Sequence, residues 1–344
     1  MKKMEFGWAD GQTEAIQTFA IDVDQNIKDK ILDLVRKDIN INDSSLKLLF
    51  PSETPAGSYH LRNKKNEFFI RVSSRIGDFK LENEFVNYLR SRKIQLNEFT
   101  VGGINFDWDN QQYRLDVRPF LHGNSYFSNL DDFKKLIDCI NQFHKIAFKF
   151  PNFAKIKSNQ KQISEKQNQT RNKCLEALNK EKFNFFENHS GWAKNNQKWL
   201  TKILEEYNPY FEDMLGAQCL HGQIHPGNVL FVRGNPILFD TETSIHTFAP
   251  VEWDFSWVLQ RFIINQELSN EDSLKFIKLL AKNKSEIAKL IYMAKLNTIY
   301  SVVAVFDYSI NKSISVPQSE LDKFYNNYMS LCDYELYLRD AYEI

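Results

Sequence analysis

Apolar Ile27, Ile31, Leu34 and Val35 share one face of a short helical stretch, after which the texture changes near Ser44 to short alternating runs. Ser45 to Phe50, Ser58 to Arg62 and Glu67 to Ser73 read as three antiparallel strands separated by turn-prone residues. The last of them is rich in β-forming Phe68, Phe69, Ile70 and Val72. Leu81 to Arg92 returns to a helical period, with Glu82, Phe85, Val86 and Leu89 on one face. Two further strands, Phe99 to Phe106 and Tyr113 to Phe120, flank the turn Asp107-Trp108-Asp109-Asn110.

From Leu130 the period is helical, and Phe133, Leu136, Ile137, Ile140, Phe143, Ala147 and Phe148 form a stripe wide enough to face a core. His144 sits beside that stripe as a satisfied core histidine. Lys155 to Lys182 is polar, rich in lysine and glutamine and without a clean apolar stripe, which predicts a solvated helix or a mobile insertion. Ser269 and Asp272 cap one further helical run through Leu274, Ile277, Leu280, Ile287 and Leu290 to Ile310. The predicted class is α+β: an N-terminal lobe over 1–120 with a five-stranded antiparallel sheet plus helix, and a mainly helical C-terminal lobe over 121–344.

Composition narrows the partners. The 344 residues carry 44 basic and 44 acidic side chains, so no net field recommends a nucleic acid or an anionic membrane surface, and a small-molecule partner is favoured. No apolar stretch follows Lys2 and Lys3, and the charge-free apolar run from Leu296 to Phe306 is too short for a bilayer, which points to a cytoplasmic protein. Cys139, Cys174, Cys219 and Cys332 lie far apart with no Cys-x-x-Cys pair, the usage of reduced buried thiols rather than of zinc or disulfides. The sequence leaves the oligomeric state open.

The chemistry concentrates in Cys219-Leu220-His221-Gly222-Gln223-Ile224-His225-Pro226-Gly227-Asn228, followed by a predicted hairpin of Val229 to Val232 and Ile237 to Phe239 that delivers Asp240. Such a hairpin can hold Asn228 and Asp240 side by side. An amide and a carboxylate are the hard oxygen donors that Mg²⁺ prefers, one or two from protein and the rest from phosphates and water. In isolation, His221, His225 and Asn228 also fit a buried loop whose side chains only satisfy backbone groups.

The pattern His-Gly-Asp-x-His-x-x-Asn with an aspartate-bearing hairpin resembles the signature of the aminoglycoside phosphotransferase and choline kinase superfamily, whose fold is bilobal and protein kinase-like. The likeness covers roughly Ser45 to Arg261 and implies Mg²⁺-ATP as cofactor and a small-molecule acceptor as partner, held in a cleft of the C-terminal lobe. It implies Asn228 and Asp240 as metal ligands, His221 and His225 as shapers of the catalytic loop, and Asp254 as its brace. Phe120 and Leu121, after the fifth strand, fall where the hinge backbone receives adenine.

Three positions depart from the family. Arg71 stands where a strand lysine grips the nucleotide phosphates; Glu82 is its expected partner on the helix. The phosphate-covering loop, Ser52 to Ser58, holds one glycine, Gly57. Gln223 replaces the aspartate that accepts the acceptor's proton, and an amide cannot take that proton. Two functions follow from the resemblance: a phosphotransferase in which Gln223 orients the acceptor, or an inactive pseudokinase that binds a nucleotide or ligand.

Overall fold

The computed structural model describes residues 21–39, 41, 44–49, 55–74, 77–125, 129–266, 268, 270–312 and 316–341. The expected N-terminal start, residues 52–54 of the phosphate-covering loop and the Ser269 cap lie outside the described residues. The chain forms two compact units that alternate along it: one comprises Met1–Ile146 and His225–Ile245, the other Ala147–Ile224 and His246–Ile344.

The first unit is built on an antiparallel sheet whose spatial order is β1 (Ile21–Asp22), β2 (Ser45–Leu48), β3 (Gly57–Arg62), β4 (Glu67–Ser73), β6 (Gln111–Pro119) and β5 (Val101–Trp108). Five strands match those expected. The sixth, two-residue β1 pairs Ile21 with Leu48 and is too short to show an alternating pattern. Asp109 and Asn110, both at positive φ (47° and 60°), close the β5–β6 hairpin, a conformation that aspartate and asparagine tolerate best among non-glycine residues. Helix α1 (Gln25–Val35) is capped by Asp24 and lays Ile27, Ile31 and Val35 on one sheet face, against Tyr59, Leu61, Ile70, Val72, Leu115 and Val117. Alternation along the strands sends Ser58, Arg71, Arg114, Asp116 and Arg118 to the opposite face.

Helix α2 (Phe79–Arg90) starts at Asp78, whose side chain accepts from the Leu81 N–H at 3.0 Å, and buries Leu81, Glu82, Phe85, Val86 and Leu89. Further along the chain, α3 (Leu130–Ala147) buries the expected stripe, except that Phe148, just past its end, is 65% exposed.

The second unit is mainly helical, with α4 (Phe153–Asn179), α5 (Ser190–Asn195), α6 (Gln197–Glu206), α7 (Glu252–Val258), α8 (Asn270–Leu280), α9 (Lys284–Lys312) and α10 (Gln318–Ala341). A two-residue ladder pairs β7 (Gln218–Cys219) with β10 (Phe248–Ala249). Two expectations are corrected here. Residues Lys155 to Lys182 take the helical one of the two expected forms, but α4 is not wholly solvated: one stripe is buried, and half of it is polar, with Gln160, Ser164, Gln167 and Thr170 beside Ile156, Cys174, Ala177 and Leu178. These groups are satisfied inside the unit, as where Ser164 donates to Glu212 Oε2 at 2.7 Å and the Tyr207 hydroxyl donates to Gln167 Oε1 at 3.3 Å. The run toward Ile310 is two helices, because Asn283 accepts from the Glu286 N–H while Glu286 Oε2 accepts from the Lys282 N–H, a reciprocal cap that restarts the helix.

Among the described residues one helix, within α9, is long and apolar enough to cross a membrane; 72% of its apolar window is buried inside the protein, where Gln260 Nε2 donates to the Ala294 carbonyl at 2.7 Å. All four cysteines are free, and burial pushes the Cys139 and Cys219 thiols up to about 12, leaving no thiolate at neutral pH.

Candidate functional site

Within the first unit, the charged sheet face carries Arg71, the residue expected to grip phosphate. Arg71 on β4 lies opposite Ser58 on β3 and Asp116 on β6, and its Nη1 donates to Ser58 Oγ at 3.0 Å. Its expected partnership with Glu82 is not formed. Glu82 is fully buried and takes Arg114 Nη2 on Oε2 at 2.6 Å, and Arg118 Nη2 at 3.5 Å and Thr241 Oγ1 at 3.0 Å on Oε1. Helix α2 leads into β5, the edge strand beside β6, so its carboxylate meets the β6 arginines rather than the β4 one.

The surrounding charges balance. Arg114 also donates from Nε to Asp116 Oδ2 at 2.8 Å, and Asp116 Oδ1 accepts the Gly103 N–H at 2.8 Å. Burial pushes the Glu82 carboxyl above its usual range against the pull of Arg114 and Arg118. Burial also opposes the charge on Arg114, but Glu82 and Asp116 more than offset it and raise its pKa. Since Arg114 touches two carboxylates, the cluster is two cations against two anions, the arrangement in which buried charges are tolerated.

The segment expected to serve as the hinge follows β6. The Phe120 N–H is committed to the Glu67 carbonyl at 3.0 Å, while Glu67 Oε2 meets His60 Nε2 at 3.0 Å and His122 Nε2 at 3.2 Å. Leu121 is half-buried. Beyond it, Asn124 and Phe231 exchange backbone hydrogen bonds of 3.2 and 2.7 Å, and a β-carbon on Gly123 would sit 2.6 Å from the Phe231 carbonyl oxygen. Only glycine permits that approach.

The hairpin of β8 (Val229–Val232) and β9 (Asn235–Leu238) pairs Val229 with Leu238. One step further the Asn228 carbonyl accepts the Phe239 N–H at 2.9 Å, so Asn228 pairs with the residue that precedes Asp240. Asn228 is buried and Asp240 half-buried; Asp240 holds φ at +55°, left-handed backbone that an aspartate adopts at a cost of roughly 1–2 kcal/mol. His225 begins this loop: its Nδ1 accepts the Gly227 N–H at 3.1 Å, the backbone-satisfying role open to it from the sequence.

In the second unit, His221 is fully buried and Gln223 half-buried. Asp254 Oδ2 accepts the His221 N–H at 3.0 Å and Oδ1 the Gly222 N–H at 2.8 Å, while Trp253 Nε1 donates to the Gly222 carbonyl at 3.1 Å. Asp254 thus braces the loop, as the resemblance implied. Gly222 has φ of +95°, which a side chain would strain, and the brace orients the chain just before Gln223. Asp254→Ala is expected to strand two buried N–H groups and cost about 2–5 kcal/mol, read as a lower denaturant midpoint.

Arg114, Asp116, Arg118 and Thr241 were not singled out from the sequence. For the three charged residues a signal was present, since they recur at period two in β6, interleaved with apolar Leu115 and Val117.

No protein-family model and no curated protein sequence matches the chain. Solved structures match its fold. The spectinomycin phosphotransferase APH(9)-Ia, solved with ADP and spectinomycin, gives a TM-score of 0.58 at 15% identity, over 88% of this chain and 93% of its own. The aminoglycoside phosphotransferase APH(4)-Ia gives 0.55 at 10% identity, over 90% and 98%. A choline kinase from Cryptosporidium parvum Iowa II gives 0.52 at 15% identity, over 91% and 97%. The chain therefore has the protein kinase-like fold that these enzymes share.

Proposed function

We propose that this chain, on its protein kinase-like scaffold, binds Mg²⁺-ATP and passes the γ-phosphoryl group to a small polar acceptor. The observation that supports this reading is the bond from the Phe239 N–H to the Asn228 carbonyl, which pairs the amide-bearing Asn228 with the residue that precedes Asp240 at the end of one hairpin. Asn228 and Asp240 offer hard oxygen donors in a half-open turn and fit Mg²⁺, which when bound would neutralise charge on the phosphates. Arg71, with a guanidinium suited to bidentate phosphate contacts, would grip the α- and β-phosphates, and the backbone at Phe120–Leu121 would receive adenine. The spectinomycin and choline phosphotransferases of the same fold suggest a hydroxyl-bearing, amine-containing acceptor.

In the transfer, the acceptor oxygen forms a bond to the γ-phosphorus as the bond to the β,γ-bridging oxygen breaks and ADP leaves. The acceptor's proton goes to solvent, because Gln223 orients the hydroxyl through its carbonyl oxygen without taking the proton. Phosphoryl transfer tolerates this better than most chemistry, since positioning and electrostatics dominate its loose transition state. Calorimetric titration of ATP with and without Mg²⁺, on the parent and on Asp240→Ala, tests the site. Metal-dependent binding present in the parent and lost in the variant supports it; equal metal dependence in both would remove Asp240 from the role.

Gln223 and Arg71 together favour a second reading, a pseudokinase that binds a nucleotide or ligand and regulates a partner. Turnover that stays at background across amino sugars, amino alcohols and organic acids, with Mg²⁺-ATP binding intact, selects it.

A further inference from the structure

We propose that Glu82 is a positioning residue for the Asp240 turn and acts through the Thr241 hydroxyl. What the turn is for rests on the proposed function; that Glu82 holds it does not.

Asp240 needs holding. An L-residue at φ of +55° persists only where its surroundings over-determine it, and the two chain neighbours of Asp240 are each pinned. On one side the Phe239 N–H donates to the Asn228 carbonyl at 2.9 Å. On the other, Thr241 is fully buried and its Oγ1 donates to Glu82 Oε1 at 3.0 Å. Glu82 lies 159 positions earlier, on another element, so this is a tertiary tie.

The anchor is itself fixed. Glu82 is held by Arg114 at 2.6 Å, Arg114 by Asp116 at 2.8 Å, and Asp116 by the Gly103 N–H at 2.8 Å, so one connected network joins α2, β5 and β6 to the turn. A carboxylate fixed by two arginines is a stiff acceptor, and a hydrogen bond to a charged group is among the stronger kinds. A hydroxyl on a short stem supplies the donor that a fully buried position facing that acceptor calls for. The geometry therefore gives the helix glutamate a task other than pairing with the strand cation Arg71: it ties the helix to the residue that follows the metal-ligand candidate.

Two substitutions separate the hydroxyl from the shape. Thr241→Val keeps the volume and removes the donor; Thr241→Ser keeps the donor. In the nucleotide-free protein, hydrogen exchange of the backbone amides over 239–243 is expected to speed up about tenfold in Thr241→Val and to stay near the parent in Thr241→Ser, the loss of one hydrogen bond to a charged group. In titration, Thr241→Val is expected to weaken Mg²⁺-ATP binding about tenfold while metal-free ATP binding stays within about twofold, again with recovery in Thr241→Ser. Unchanged exchange in Thr241→Val, or equal acceleration in both variants, overturns the inference. If the parent binds no Mg²⁺-ATP, the functional reading fails, and the exchange result still decides whether Glu82 holds the turn.

Discussion

Gln223→Asp is expected to raise phosphoryl transfer by about 10²–10⁴-fold, the usual worth of a positioned general base. An aspartate there can accept the proton that goes to solvent in the proposed transfer, and the preceding backbone is already fixed: Asp254 holds the His221 and Gly222 N–H groups, and Trp253 holds the Gly222 carbonyl. The gain belongs in kcat with a fixed acceptor, since the proposed function draws nucleotide binding from Arg71, Asn228 and Asp240 and not from residue 223. A steady-state assay over a panel of amino alcohols and amino sugars reads it. A fall in native activity would mean instead that glutamine is part of the present chemistry, as an acceptor needing no strong base would allow. No activity in either protein, with nucleotide binding retained, favours the regulatory reading.

Arg114→Ala is the substitution expected to damage the fold most, by about 3–5 kcal/mol, because it leaves Glu82 and Asp116 as buried carboxylates, with Arg118 3.5 Å from Glu82 as that residue's remaining cation. For a unit of this size that lowers the melting temperature by roughly 6–20 °C. Arg71→Ala serves as the comparison. Arg71 is only half-buried and bonds to Ser58, so its loss is expected to cost less stability and to weaken nucleotide binding instead. Circular-dichroism melts of the two variants check this; equal destabilisation would contradict the division between a structural Arg114 and a phosphate-facing Arg71.

Local pattern carried much of this. The strand runs from Ser45 to Phe120 and the helix carrying Glu82 were legible because alternation and the helical period report one-sided burial. Residues Lys155 to Lys182 resist such reading for the converse reason: α4 buries glutamine, serine and threonine, which pattern assigns to water, and those residues are tolerated inside only because Glu212, Tyr207 and Asp307 meet them from distant parts of the chain. The break before α9 depended on side chains closing a cap, not on the hydrophobic period, which continues across it.

The loop and hairpin that carry His221, Gln223, Asn228 and Asp240 were legible from the sequence alone, because a turn and a two-stranded ladder are set by residues adjacent in the chain. The sequence also carried the brace, since an aspartate of fixed motif position accepts two loop amides. Only the tertiary structure decided which arginine Glu82 would hold. That choice depends on which strand the helix crosses, and Arg71 and Arg114 occupy the same face of the same sheet with the same charge. Thr241 became legible in the same way: a hydroxyl finds its acceptor 159 positions away only once the sheet, helix and hairpin have assembled.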